Sequence, residues 1–212
     1  MDSKISKQIK LLEKNYPNVK FYLNFSNPLE LLVASILSAQ CTDQVVNVTT
    51  LKLFKKYKTA KDYATADVKE LELNIKSVNF FRKKAENIIK ACQILEEKYQ
   101  GKIPSSMNKL IELPGISRKT ANVIQQNAFN IIDGIVVDSH VIRVTQRLGW
   151  TKNKNPEKIE NDLMNLFPKD KWKILPHLLK NHGRAICKPP VPICSKCFLN
   201  KLCPKIVIEK FN

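Results

Sequence analysis

Glycine is scarce in this chain, with only five in 212 residues. None forms a G-x-G-x-x-G cluster or a Walker loop, which removes the common dinucleotide and nucleotide-phosphate cradles from consideration. Long apolar runs are missing too. The uncharged stretch Leu31 to Thr42 is 12 residues long and contains Ser and Gln, too short to cross a bilayer. The N-terminus, MDSKISKQIKLLEKNY, lacks the apolar core of a secretory signal and reads as an amphipathic helix. A cytosolic protein with no membrane partner is therefore expected. Strand signals are few, and the one extended-looking piece, Gly134 to Val137, is too short for a sheet. No internal repeat or low-complexity linker divides the chain.

Acidic side chains are the remaining shortage. Lys and Arg number 36 against 19 Asp and Glu, for a net charge of +17. The surplus is nine over residues 1–129 and eight over residues 130–212, so it belongs to the folded body and not to a tail. A Lys-rich solvated surface is one account. A polyanionic partner, with duplex nucleic acid the commonest, is the stronger one.

What the chain has in abundance is helix. Hydrophobic residues make up 43%, enough for a globular core. Asn27-Pro28 with Glu30 opens a helix over PLELLVASILSA, because proline at the first helical position gives up only an N–H that has no partner there. Asp43 starts QVVNVTTLKLFKKY, and Phe81 to Tyr99 carries apolar residues at helical spacing. Further helices are expected over Ser106–Glu112, Ser117–Phe129, Asp138–Leu148 closed by Gly149, Asn155–Phe167, and Asp170 to about Ala185. The expected fold class is all-α.

Four of six cysteines crowd the C-terminal end: Cys187, Cys194, Cys197 and Cys203, spaced C-x6-C-x2-C-x5-C with Pro204 following. In a reducing cytosol a disulfide framework is not expected. Four thiols within 17 residues point to metal, either a four-thiolate zinc or an iron–sulfur cluster. Structural zinc usually pairs two C-x2-C knuckles, and only one is present, so the spacing fits a [4Fe–4S] cluster better. Three prolines in the loop KPPVPI reduce the entropy lost when that loop closes. Lys188, Lys196 and Lys201 ring the cysteines and suit either a solvated rim or a phosphate backbone. Cys41 and Cys92 are expected to pack in the core.

The stretch ELPGISRKTANVI joins two short helices through Pro114-Gly115. Such a turn aims backbone N–H groups at one spot, and with Ser117 and Arg118 beside it that spot suits a phosphate. Lys119 stands in the first turn of the second helix, where the positive end of the macrodipole disfavours an ammonium. An ordinary lysine is a free amine in only about one molecule in a few thousand at pH 7; a position that enlarges this fraction suits attack on an aldehyde-like carbon. A surface lysine holding phosphate is the plainer reading. Asp138, at the joint between an apolar run and a helix, reads first as an N-cap.

Together these pieces resemble the endonuclease III family of DNA glycosylases, of the helix-hairpin-helix superfamily, over nearly the whole chain. LSAQCTD (37–43) and KAENIIK (84–90) look like segments of that family. LPGISRKTAN resembles its lysine-bearing hairpin, VDSHVIRV (137–144) its aspartate segment, and HGRAIC (182–187) the approach to its cluster, while the cysteine spacing agrees with its [4Fe–4S] loop. The resemblance implies a six-helix barrel domain over about residues 22–132, and an iron–sulfur domain formed by residues 1–21 with 133–212. DNA would lie in a cleft between them, where Lys119 and Asp138 would meet. It implies a monomeric bifunctional glycosylase and abasic-site lyase that acts on duplex DNA containing damaged bases, oxidised pyrimidines first, or abasic sites. Lys119 and Asp138 would be the catalytic pair. Gln40 would fill the space of an extruded base, and Leu113, Gly115, Ser117, Arg118, Lys188 and Lys196 would contact DNA. A bacterial source would place the protein in the cytoplasm with the nucleoid.

Three departures from the family pattern stand out. Ser117 replaces the hairpin's second glycine, Asn79-Phe80-Phe81 replaces a Gly-Leu-Tyr-like wedge loop, and FNIIDG (129–134) is less typical. Phe80 is expected to act as a bulkier wedge. Adenine-mismatch glycosylases lack the lysine and carry a further C-terminal domain, whereas this chain has Lys119 and ends nine residues after Cys203. A pyrimidine-dimer glycosylase of the same family would share the lysine chemistry, and a non-catalytic DNA-binding module would show no covalent adduct.

Overall fold

The computed structural model describes residues 3–210. Met1 and Asp2, with which the expected N-terminal helix begins, lie outside the described residues. Among those residues there are eleven α-helices, two 3-10 turns and no strand. The chain divides into two compact units, Tyr22–Ile131 and Met1–Phe21 with Ile132–Asn212.

In the Tyr22–Ile131 unit the central element is α2 (Pro28–Ser38), every residue of which from Leu31 to Leu37 is buried. A helix apolar on all sides has to be enclosed, and α3 (Asp43–Lys56), α6 (Phe81–Tyr99) and α8 (Arg118–Ala128) pack against it. Asn27 caps α2 through the Glu30 N–H, with Pro28 at the first position, as the sequence signals require. The cap of α3 is Thr42, and Asp43 is its first residue instead of its starter. Two helices arise where no element was expected: α4 (Ala60–Ala64) and α5 (Val68–Asn74), both packed on α6. They are too short to show a period, but each has a local start signal: a Thr59–Asp62 capping box for α4 and the Asp67 side chain for α5. Cys92 is buried in α6. Cys41, expected in the core, is only half-buried, because it falls in the turn between α2 and α3. The short α7 (Met107–Ile111) packs on α8 and completes the unit.

The other unit gathers α1 (Ser3–Asn15), α9 (Ser139–Leu148), α10 (Pro156–Leu166) and α11 (Leu175–Ala185) around one core of Ile9, Leu12, Val141, Val144, Trp150, Leu163, Phe167 and Leu179. Gln8 is fully buried and satisfied on both sides, accepting from Trp150 Nε1 at 2.7 Å and donating to the Leu202 carbonyl at 3.0 Å. This fastens α1 to the C-terminal segment. The single helix expected from Asp170 to Ala185 is broken. A 3-10 turn covers Lys169–Lys171, and α11 begins only at Leu175, with Pro176 in its first turn. Proline carries no N–H and disfavours helical backbone at the preceding residue, so a helix can begin there but cannot run through it.

Candidate functional site

The hairpin is built as its residues demand. Helix α7 ends at Ile111, and the chain turns through Pro114 and Gly115, the latter at φ +85. Only glycine takes that conformation without cost, and a Cβ here would also stand 3.1 Å from Asn87 Nδ2. Ser117 then caps α8, its hydroxyl accepting from the Thr120 N–H at 3.3 Å, so the family's second glycine is replaced by an N-cap side chain. Arg118 and Lys119 are the first two residues of α8, both exposed, with no acid in that first turn. Four of the predicted residues, Gly115, Ser117, Arg118 and Lys119, therefore share one exposed helix start. Leu113 differs from them. It is 1% exposed, so its side chain belongs to the core and only its main chain is left for a DNA contact.

Asp138 caps α9. Its Oδ1 accepts from the N–H groups of His140 at 2.8 Å and Val141 at 2.9 Å, the geometry of an N-cap on a dipole that favours negative charge. Around it, burial holds His140 and His177 below the ordinary histidine range, a shift Asp138 opposes in both and neighbouring cations reinforce. His140 Nδ1 accepts from Arg143 Nη2 at 3.1 Å, and the same guanidinium donates to the Gly183 and Cys187 carbonyls. Helices α9 and α11 approach closely at Gly183, where a Cβ would lie 2.9 Å from His140 Nδ1. Lys119 belongs to the Tyr22–Ile131 unit and Asp138 to the other.

The four C-terminal cysteines line one cavity together with Arg147, His182, Pro192, Leu199 and Lys205. Arg147, 6% exposed, donates to Cys187 Sγ at 3.4 Å and to the carbonyls of Cys187, Lys188 and Pro190. His182 Nε2 lies 3.8 Å from Cys197 Sγ. Burial raises the thiols of Cys194, Cys197 and Cys203, Cys197 to about 11, so a thiolate at these positions needs a cationic partner. Among the described residues, no three His, Cys, Asp or Glu side chains gather closely enough for a single metal ion. Lys188, Lys196 and Lys201 are exposed around the loop.

The structure also links two turns whose connection the sequence reading missed. Gln40, just after α2, and Phe80, just before α6, are both exposed and both left-handed, at φ 52 and φ 56. Asn79 Nδ2 donates to the Gln40 carbonyl at 2.7 Å. Lys84, 5% exposed, reaches the carbonyls of Leu37 and Ala39 at 2.8 and 2.5 Å, and its burial lowers its pKa below the ordinary lysine value. A signal for Lys84 was present: it lies on the same helical stripe as buried Ala85, Ile88, Ala91, Cys92 and Leu95, where a charge demands partners.

Residues 33–169 match the model of the HhH-GPD superfamily base excision DNA repair proteins. Endonuclease III of Synechocystis sp. is 46% identical over 92% of this chain and 89% of its own length. Endonuclease III of Escherichia coli K12 is 40% identical over 91% and 90%. Among solved structures, a trapped endonuclease III–DNA covalent intermediate superposes with a TM-score of 0.90 at 41% identity, covering 97% of each chain. A non-covalent endonuclease III–DNA complex gives 0.91 with the same identity and coverage. No helix among the described residues is long and apolar enough to cross a membrane. By the family model and by full-length relatives at this identity, the chain belongs to the endonuclease III family of helix-hairpin-helix DNA repair enzymes.

Proposed function

We propose that the protein is a bifunctional DNA glycosylase and abasic-site lyase of base excision repair that removes oxidised pyrimidines from duplex DNA. The observation that carries this reading is Lys119, exposed at the second position of α8 behind the left-handed Gly115 turn, in a chain of the endonuclease III family. The α8 start and Arg118 offer N–H groups and positive charge to a phosphate, which seats the backbone beside the amine.

The chemistry follows from the groups present. A damaged base stacks and pairs poorly, so it is the cheapest to extrude. As the glycosidic bond breaks, positive charge develops on the sugar, and the carboxylate of Asp138 stabilises it. Lys119 reacts as the free amine, so its ammonium first gives up a proton to a general base. The freed amine attacks C1′, the base leaves with the glycosidic electron pair, and ring opening yields a Schiff base between Nζ and C1′. The iminium draws electrons from C2′; loss of a C2′ proton then expels the 3′ phosphate, cutting the strand on the 3′ side by β-elimination.

Cys187, Cys194, Cys197 and Cys203 are the residues to hold a [4Fe–4S] cluster. Four thiols lining one cavity, those of Cys194, Cys197 and Cys203 raised by burial, with Arg147 at its border, support a multi-iron group over one zinc, all four of whose sulfur ligands would have to lie about 2.3 Å from the ion. When bound, the cluster would tie residues 187–203 together through iron–thiolate bonds and deprotonate the thiols. Arg147 meanwhile holds the loop carbonyls, and Lys188 and Lys196 face outward toward phosphate.

Borohydride trapping tests the assignment. The purified protein is mixed with duplexes bearing thymine glycol, an abasic site or a pyrimidine dimer, and the iminium is reduced to a stable amine. Adducts on the first two, lost in Lys119→Gln while damaged-DNA binding persists, are the expected result. A preference for the dimer duplex would reassign the substrate. Strand cleavage retained in Lys119→Gln would place the nucleophile on another amine, and no adduct on any duplex would leave a monofunctional enzyme or a binding module.

A further inference from the structure

Gln40 and Phe80 share two properties that Gln100, Asn130 and Val207 also show, and a side-chain hydrogen bond joins their two turns. Both are exposed, Phe80 to 64%, and both are held in left-handed backbone that non-glycine residues adopt only at a cost. No side-chain cap bond accounts for Phe80 at the start of α6. Such strain persists only where surrounding structure over-determines it, and here several contacts hold the two turns. Asn79 Nδ2 donates across 39 residues of sequence to the Gln40 carbonyl. One turn into α6, the Lys84 ammonium takes the carbonyls of Leu37 and Ala39. The stretch leading to Asn79 is anchored by Ile75 and Val78, which are 0% and 1% exposed. The carbonyls of residues 37, 39 and 40 are thus all held from the α6 side, while the Gln40 and Phe80 side chains are left to solvent.

We propose that Asn79 is a positioning residue that clamps the Gln40 turn to the Phe80 turn, so that the two side chains enter damaged DNA as a preassembled pair. The proposal rests on the reading in which Gln40 fills the space of the extruded base and Phe80 wedges into the stack. Glycine, usual at this loop position in the family, has no side chain and cannot make the bond. In this chain the clamp takes over the ordering of two exposed turns before DNA arrives, so less conformational freedom is lost on binding and the replacement of the base is faster.

Two variants separate the clamp from general stability. Asn79→Ala removes the bond, and Asn79→Asp keeps the shape but has no donor for a carbonyl. Both alter an exposed side chain and should lower the thermal midpoint by no more than about 2–4 °C. Single-turnover excision of thymine glycol from a duplex should slow about three- to tenfold in each, the fold-change for one exposed hydrogen bond. Cleavage at an abasic site in single-stranded DNA, where no stack is wedged and no partner base is left behind, should not change. In a double-mutant cycle, Asn79→Ala should add little to Gln40→Ala, because both act on the same event. Wild-type excision by both Asn79 variants, with Gln40→Ala and Phe80→Ala slow, would overturn the clamp and leave the roles of Gln40 and Phe80 standing. Full additivity in the cycle would also overturn it. Wild-type rates for Gln40→Ala and Phe80→Ala would overturn the underlying reading and the clamp with it.

Discussion

Asp138 carries two assignments that a pair of substitutions can pull apart. As an N-cap it gives Oδ1 to the His140 and Val141 N–H groups at 2.8 and 2.9 Å; as a catalytic group it supplies negative charge to the sugar. Asparagine caps a helix as well as aspartate does but is neutral. Asp138→Asn should therefore keep both backbone hydrogen bonds and lose only the carboxylate's interaction with the α9 dipole, about 0.3–1 kcal/mol. Asp138→Ala loses the cap as well, for a further cost of about 1 kcal/mol. For a chain of this size, 1 kcal/mol moves the thermal midpoint by about 2–4 °C. Urea denaturation should then rank wild type, Asp138→Asn and Asp138→Ala in descending stability, with the larger step at alanine. Single-turnover excision should behave differently, falling about 100-fold or more in both variants, the scale for losing an acid–base or charge-stabilising group. Equal destabilisation by the two substitutions would refute the cap geometry. Excision by Asp138→Asn at the wild-type rate would show that the residue is a cap and nothing more.

Gly115→Ala should destabilise the protein by about 1–2 kcal/mol, the cost of a left-handed alanine, with the Asn87 contact adding to it; chemical denaturation reads the loss directly. Arg118→Ala should weaken binding to any duplex and reduce the slope of log affinity against log salt by about one, measured by fluorescence anisotropy over a salt series. A slope that does not change would remove Arg118 from the phosphate contacts. Arg147→Met should leave the carbonyls of Lys188 and Pro190 without this donor, destabilise the loop by at least about 3 kcal/mol, and speed the loss of visible absorbance under chelation. Bleaching at the wild-type rate would mean that the loop holds its cluster without that guanidinium.

Much of this protein is legible along the chain because it is governed by local rules. Asn27, Ser117, Asp138 and Asn155 cap helices through bonds that reach two or three residues onward. Gly149 closes α9 and Gly115 turns the hairpin, both in left-handed backbone that the sequence marks with glycine. The spacing of Cys187, Cys194, Cys197 and Cys203 is the basis for proposing a metal loop there, and the surplus of lysine and arginine points to a polyanion. The departures from expectation also have local causes. Pro176 delays α11, and α4 and α5 are too short for their apolar positions to show a period.

Tertiary structure decided what depends on residues far apart in sequence. Nothing near Leu113 says that its side chain is buried while Lys119, six residues on, is exposed; the packing of α7 on α8 sets that. Nothing near Asn79 names the Gln40 carbonyl as its acceptor, nor does Lys84 reveal that its ammonium will close the end of α2. Such contacts form only after the apolar faces of several helices have been buried together, since each one alone is worth less than the entropy of closing the loop between its partners. The sequence by itself determined which groups the protein carries and where most of its longer helices are capped. Burial of α2 among its neighbours decided which groups of the Tyr22–Ile131 unit are locked in place and which are left exposed.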